Sequence, residues 1–400
     1  MKKQLEFPKA AKALIGELEK NGYEAFFVGG AVRDLLLGNL PGDLDITTSA
    51  TPDEMKAVFK EYRVIETGIR HGTLTVISDS VPYEITSYRI DGEYSDSRHP
   101  ETVNFTRSLR EDLSRRDFTV NAMAYNDRVG VVDLFSGRED LEKRTVRAVG
   151  DPERRFTEDA LRILRALRFA SVLDFLIEPE TERKIRELSG RIKLVSRERI
   201  FAEWMKLLGG AAAYRIISGY SDLISDILYF PGEVKLPDES RFASLNRDLR
   251  QLAIFAESFG RQGADIFYRA MEELHSEKER RESGRLIISA LFDLPETRLG
   301  VKLSVKYLGY QRAEELAELR YALSCSDAAK KELRSIIERG DCCEISSLRI
   351  SGKDLLSLGY RGKEIGDMLN LILDAVMREE LENEREALIS FAVKQRSETI

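Results

Sequence analysis

Apolar residues recur at helical spacing through residues 1–22, and the segment closes on Asn21-Gly22, a pair suited to a helix C-cap. The run Ala25-Phe26-Phe27-Val28 then predicts a short buried strand. Thr51-Pro52-Asp53-Glu54 places an N-cap hydroxyl, a first-turn proline and a glutamate three residues on, and predicts a helix reaching about Lys60. Residues 63–66, 73–77, 81–88 and 131–135 predict further strands. In 81–88, Tyr83, Ile85 and Ser87 alternate with Glu84 and Thr86. Residues 138–149 predict a charged helix start and a linker. From Phe201 onward helical spacing dominates, over 211–228, 245–259, 263–274, 283–291, 302–309, 312–324, 328–339 and 351–358. A final stretch, 361–396, predicts one or two helices. The class is therefore α+β: a head of strands and helices followed by all-α parts.

The stretch between the first strand and the next break carries the chemistry. Gly29 and Gly30 follow the strand and let backbone approach a ligand closely, since neither has a Cβ in the way. Arg33 and Asp34 lead into an apolar turn, and residues 38–42, with Pro41, end it. Asp43-Leu44-Asp45-Ile46 comes next. On a strand, residues two apart share a face, so Asp43 and Asp45 are expected to project together over Leu44 and Ile46. Paired carboxylates repel unless a cation lies between them, and hard oxygen ligands suit Mg²⁺ bridging to substrate phosphates. Glu84, on a neighbouring predicted strand, is the candidate for a third carboxylate.

Composition narrows the setting. Four hundred residues exceed one ordinary core. No apolar run approaches the length of about 18 residues that a membrane span needs, and the N-terminal segment lacks the apolar core of a signal peptide. Cys325, Cys342 and Cys343 form no metal-binding spacing, His71, His99 and His275 are scattered, and a cytoplasmic protein with reduced thiols is expected. The net charge of −7 argues against indiscriminate RNA binding while permitting a local basic surface.

The sequence GGAVRD followed by GDLD resembles the signature of the class II nucleotidyltransferases that act on tRNA 3′ ends, a family of CCA-adding enzymes and bacterial poly(A) polymerases. Arg115-Arg116-Asp117-Phe118-Thr119-Val120-Asn121-Ala122 matches a second motif of that family, and Glu158-Asp159 with Arg162, followed by Arg165, Arg168 and Phe169, matches its templating motif. Residues 196–203 resemble the next motif and are assigned to support. Residues 350–355 resemble, more weakly, the tail motif of CCA-adding enzymes.

The resemblance implies a polymerase β-like nucleotidyltransferase head over 1–145, a helical neck reading the base over 146–210, a helical body over 211–310 and a helical tail over 311–400 that measures the tRNA elbow. It also implies CTP and ATP as substrates, the tRNA 3′ end as acceptor, and Mg²⁺ on Asp43 and Asp45. A long polar loop at 89–107 occupies the place of the family's loop linked to the final A, which CC-adding relatives lack. Oligomeric state is left open, since the C-terminal helices could equally serve as an oligomerisation arm.

Residue chemistry fills in the roles. Arg116, like Arg33, has a forked donor set that matches triphosphate oxygens. Asp117 can accept from a ribose hydroxyl, and Asn121 can do the same or hold the loop. Phe118 and Val120 are expected in the core. Thr157 is expected to cap one continuous helix over 158–171, with Ala160, Ile163, Leu164, Leu167 and Ala170 on the apolar face and Asp159, Arg162, Arg165 and Arg168 on the other. Phe169 is expected against a second element or the nucleotide. Cytosine and adenine both offer an amino donor beside a ring-nitrogen acceptor, whereas guanine and uracil offer a carbonyl beside an N–H. An aspartate acceptor next to an arginine donor therefore accepts C and A and leaves G and U with unpaired polar groups. Arg165 and Arg168 are expected to reach phosphates or to help switch between C and A. A poly(A) polymerase, an enzyme adding only the final A, and a catalytically silent RNA-binding protein are the alternatives.

Overall fold

A computed structural model describes residues 5–91 and 103–399. It divides into two compact units, Met1–Leu223 and Ile224–Ile400. The expected boundary at 145–146 falls inside the first unit.

The first unit opens with α1 (Lys9–Lys20), whose C-cap Asn21 and positive-φ Gly22 follow the expected pattern, although the helix begins later than expected. A seven-stranded mixed sheet follows, in the order β3-β4-β5-β2-β1-β8-β9. Its strands are β1 (Ala25–Val28), β2 (Asp45–Thr48), β3 (Arg63–Ile65), β4 (Thr73–Ser78), β5 (Val81–Ser87), β8 (Met123–Asn126) and β9 (Gly130–Asp133). The pair β2·β5 is parallel, and the other neighbours are antiparallel. All four residues of β1 are buried, as an unbroken apolar run demands of a central strand. Between these strands lie α2 (Gly30–Leu37) and α3 (Pro52–Val58), the latter with the expected capping box of Thr51 and Glu54. A hairpin of β6 (Arg89–Asp91) and β7 (Val103–Phe105) frames the expected long loop, whose residues 92–102 lie outside the described ones. After α4 (Leu109–Ser114) and α5 (Gly137–Glu142), β10 (Thr145–Val146) pairs in parallel with β11 (Leu176–Ile177).

The helical continuation of this unit departs from expectation. The one helix expected over 158–171 with Thr157 as its cap is instead two: Thr157 lies inside α6 (Pro152–Glu158), capped by Asp151, and α7 (Leu161–Leu173) follows. The break falls at Asp159, which is extended at φ −143° and ψ 104°. Its side chain accepts from the Leu161 N–H at 3.0 Å, so an aspartate read as a helix-face residue acts as the cap that starts the second helix. Two more helices, α8 (Pro179–Leu188) and α9 (Arg197–Leu208), pack on these, and α10 (Ala213–Gly219) and α11 (Ser221–Leu228) replace the single helix expected over 211–228.

The second unit is helical throughout, from α12 (Glu239–Ser244) to α21 (Arg385–Thr399), with helices close to those read from the sequence. Its last stretch is two helices, Lys363–Met377 and Arg385–Thr399, around a core of Leu355, Tyr360, Ile372, Leu373, Leu388 and Ala392.

Candidate active site

The acidic end of the site is a strand start. Strand β2 begins at Asp45, so Asp43 lies just before it instead of on it. Pro41 and Gly42 keep the chain irregular up to that point. Asp43 nonetheless acts on Asp45 through its charge. Burial raises the Asp45 carboxyl above its ordinary value, Arg116 opposes this, and Asp43 adds to it. Both residues still keep part of their surface open to solvent, although neighbouring protein crowds the Asp45 carboxyl. On the adjoining parallel strand Glu84 is the register partner of Asp45, and it is exposed on the same face. Among the described residues, however, no three His, Cys, Asp or Glu side chains gather closely enough to hold a metal ion. The hard-oxygen pair Asp43 and Asp45 fits a divalent cation whose remaining ligands come from substrate or water.

The basic side faces this pair. Gly29 adopts φ +71°, a region that disfavours L side chains, and a Cβ there would lie 3.0 Å from Arg116 Nη1. The glycine therefore gives a guanidinium room beside the start of α2. Arg116 lies under competing fields. Burial pulls its pKa below the usual guanidinium range, and Asp112, Asp45 and Asp117 oppose that. Its ion pair with Asp112 is long, at 3.7 Å, and its buried Nε has no hydrogen-bond partner. A guanidinium only loosely paired to its carboxylate keeps positive charge for an anion. Arg33 is more committed. It donates to Asn121 Oδ1 at 2.6 Å and to Asp34 at 2.9 Å, and its guanidinium stands 5.4 Å from the Phe169 ring.

Asp117 is engaged on every side. Its Oδ1 accepts from the Phe118 N–H at 2.8 Å and from Asn121 at 3.3 Å, and its Oδ2 takes two donors of Arg165, at 2.9 and 2.5 Å. Burial alone would raise this carboxyl. The charge and forked bonds of Arg165, with Arg162 and Asn121, outweigh that and hold it at about 2. Asp117 thus ties Arg165 to the Phe118 amide and Asn121. Asn121 holds the loop between Arg33 and Asp117.

The base-reading residues are arranged differently from expectation. Arg162 is buried instead of lining an outer polar face. It donates to Glu158 at 2.8 Å, to the Arg155 carbonyl at 3.2 Å and to the Arg115 carbonyl at 3.1 Å. Asp159 pairs with Arg199 of α9 at 2.8 Å. Asp159 and Arg162 therefore do not pair with each other. Because the helix breaks between them, the three-residue spacing no longer makes them neighbours on one face. Arg165 and Arg168 turn toward Glu203, at 3.8 and 2.9 Å, and Arg168 covers the Phe169 ring at 3.8 Å. Phe169 packs edge-on against Phe118 at 5.6 Å, which answers the question of its second element. Phe118 and Val120 are fully buried, as expected.

Sequence reasoning missed Asp112, a fully buried carboxylate that serves Arg115, Arg116 and Thr47. The signal was present as spacing, since it lies three and four residues before the two arginines on a helical turn. Arg199 and Glu158 were missed as ion-pair partners because their contacts are tertiary or cross the helix break.

Comparison with known proteins places the whole arrangement. Residues 25–147 match the description "Poly A polymerase head domain", and residues 287–392 match tRNA nucleotidyltransferase domain 2. The CCA-adding enzyme of Geobacillus stearothermophilus is 36% identical, over 96% of this chain and 96% of its own. That of Enterococcus faecalis is 37% identical, over 98% and 97%. The chain belongs to the CCA-adding enzyme family. Its fold superposes on a crystal structure of the Bacillus stearothermophilus CCA-adding enzyme in complex with CTP with a TM-score of 0.82, at 32% identity and 98% coverage of both chains. A Thermotoga maritima CCA-adding enzyme complexed with tRNA shares the fold at a TM-score of 0.67 and 21% identity. Membership in this nucleotidyltransferase family brings with it a divalent metal ion, for which Asp43 and Asp45 are the fitting donors. Among the described residues no helix is long and apolar enough to cross a membrane.

Proposed function

We propose that this protein adds C, C and A to the 3′ end of tRNA from CTP and ATP, releasing pyrophosphate, with Mg²⁺ as the ion on Asp43 and Asp45. The observation that carries the reading is the Arg116 guanidinium, held beside Gly29 and acting through its charge on Asp45, which Asp43 also influences. In the reaction the tRNA 3′-oxygen forms a bond to the α-phosphorus of the nucleotide while the bond to the β-phosphate oxygen breaks, and pyrophosphate carries that electron pair away. Mg²⁺, when bound, supplies Lewis acidity that favours the 3′-alkoxide and steadies charge on the triphosphate. Arg116 offers its positive charge to phosphate oxygens, with Arg33 and the first amides of α2 beside it. Asp117 anchors Arg165 and, with Asn121, is the group that meets the ribose. Asp159 and Arg162 choose the base, with Arg165 and Arg168 placed by Glu203.

Glu84 assists from the neighbouring strand. The four-part organisation, with a head to about residue 145, a neck to 210, a body to 310 and a tail to 400 that engages the tRNA elbow, accompanies this reading. So does a cytoplasmic location, supported by three free cysteines.

The deciding experiment is primer extension on tRNA transcripts ending before CCA, after C and after CC, with CTP, ATP or both. A clean stop at CCA is the expected result. A long A tail would make the protein a poly(A) polymerase, extension of the CC-ended tRNA alone an A-adding enzyme, and no extension an RNA-binding protein. Chelation by EDTA should abolish incorporation while leaving the melting curve unchanged, because the exposed carboxylates hold no part of the core; calorimetry alongside the assay checks both. Asp159→Ala combined with Arg162→Ala should let UTP or GTP be incorporated, and unchanged selectivity would place base reading elsewhere.

A further inference from the structure

Leu40 is 92% exposed, and no other large apolar residue among the described ones exceeds 64%. It stands in the turn between α2 and β2, where glycine, asparagine and proline fill the neighbouring positions. A turn of that composition ordinarily carries polar residues. The fold itself asks nothing of this leucine. Gly38, at φ +85°, closes α2 by donating to the Leu35 carbonyl at 3.2 Å, and Asn39 donates to the Asp34 carbonyl at 2.8 Å. The helix end is therefore complete before Leu40 is reached. Pro41 then fixes the φ of the next residue. The leucine side chain is held out from a constrained turn and packs on almost nothing. We propose that Leu40 is an acceptor-binding residue, whose apolar side chain packs on a base or ribose at the 3′ end of the tRNA. This deepens the proposed function and rests on Asp43 and Asp45 holding the metal at which the 3′-oxygen reacts.

Position selects the occupant. Asp43 follows three residues after Leu40, so their Cα atoms lie within about 11 Å of each other however the chain runs. Nucleotides along a strand rise about 3.4 Å each, which puts Leu40 within a few nucleotides of the reacting 3′-oxygen. The incoming nucleotide is already engaged: its phosphates face Arg116 and Arg33, and its base belongs to Asp159 and Arg162. The species left to meet an apolar group beside the acidic pair is the acceptor strand. Leucine is among the side chains that pack against base steps, and covering it removes apolar surface from water. Such a contact reads no base edge, because every base has an apolar face. It therefore suits an acceptor whose last base changes with each addition.

The test is steady-state addition of A to a CC-ended tRNA and to a CC-ended acceptor-stem minihelix, comparing wild type with Leu40→Ser and Leu40→Met, with melting curves alongside. Leu40→Ser is expected to raise the KM for both acceptors by about five- to tenfold while the KM for ATP and the melting temperature stay unchanged. Leu40→Met keeps an apolar side chain of similar volume and should remain within about twofold of wild type. An unchanged acceptor KM in Leu40→Ser would overturn the inference, and so would an equal rise in the KM for ATP. A lowered melting temperature in Leu40→Ser would also overturn it, by showing that the leucine serves the fold. A loss seen with tRNA but not with the minihelix would place the contact away from the 3′ end, with the same consequence. No extension of either acceptor by the wild-type protein would instead remove the reading on which the inference rests.

Discussion

Asp45→Ala is expected to abolish incorporation of both CTP and ATP while the protein stays folded. Asp45 opens β2 at the site's acidic end, with Asp43 acting on it and Glu84 in register beside it. Loss of a metal-holding carboxylate removes about 4 kcal/mol or more of transition-state stabilisation, which corresponds to a drop in kcat of roughly a thousandfold. Stability should move the other way. Burial raises the folded-state pKa of Asp45 above its unfolded value, so the folded protein binds the proton more tightly. Stability attributable to this group is therefore greatest at low pH and falls as pH rises through the raised value. An uncharged residue there escapes that cost, so the melting temperature of Asp45→Asn should equal or exceed that of the wild type. Single-turnover extension with calorimetry checks both halves. Normal turnover in Asp45→Ala would remove the aspartate pair from the mechanism.

The second large effect is expected at Asp117. Its carboxylate takes a forked pair of bonds from Arg165 and two further donors, all in a buried setting. Asp117→Asn leaves Arg165 only the long 3.8 Å contact with Glu203, and breaking a buried pair from one side costs about 3–5 kcal/mol. The sign with pH is the reverse of that at Asp45. A carboxyl held at about 2 stabilises the fold above its ordinary value, by about 2 kcal/mol, and that contribution is lost as pH falls through about 2. The single tryptophan, Trp204, is fully buried in α9 within the same unit, so its fluorescence during urea unfolding reports the change directly. The expected outcome is a lower urea midpoint for the variant at neutral pH and a gap that narrows in strong acid. A midpoint equal to that of the wild type would show that Arg165 finds another partner. Activity should fall too, through a higher KM for nucleotide, because Arg165 and the Phe118–Phe169 contact are both held by this junction.

Much was settled by local sequence. The buried run of β1, the Gly29 turn, the Thr51 capping box and nearly all helices of the C-terminal half follow from periodicity, caps and breakers, which act over a few residues. The chemical types at the site were legible for the same reason: two aspartates flanking a leucine and a run of arginines announce hard oxygen donors and anion contacts wherever they fold. What local sequence could not settle was who pairs with whom. Glycine-rich geometry put Asp45 but not Asp43 on the strand, and Asp159 became a cap because its own side chain satisfied the amide of Leu161. The partners of Asp117, Asp159 and Arg162 come from α7, α9 and the Arg115 carbonyl, segments whose proximity only packing creates. Helical spacing ranks neighbours within one element. A buried charge takes its partner from whichever element the core brings within reach, so the residues were readable from the chain and their pairing only from the fold.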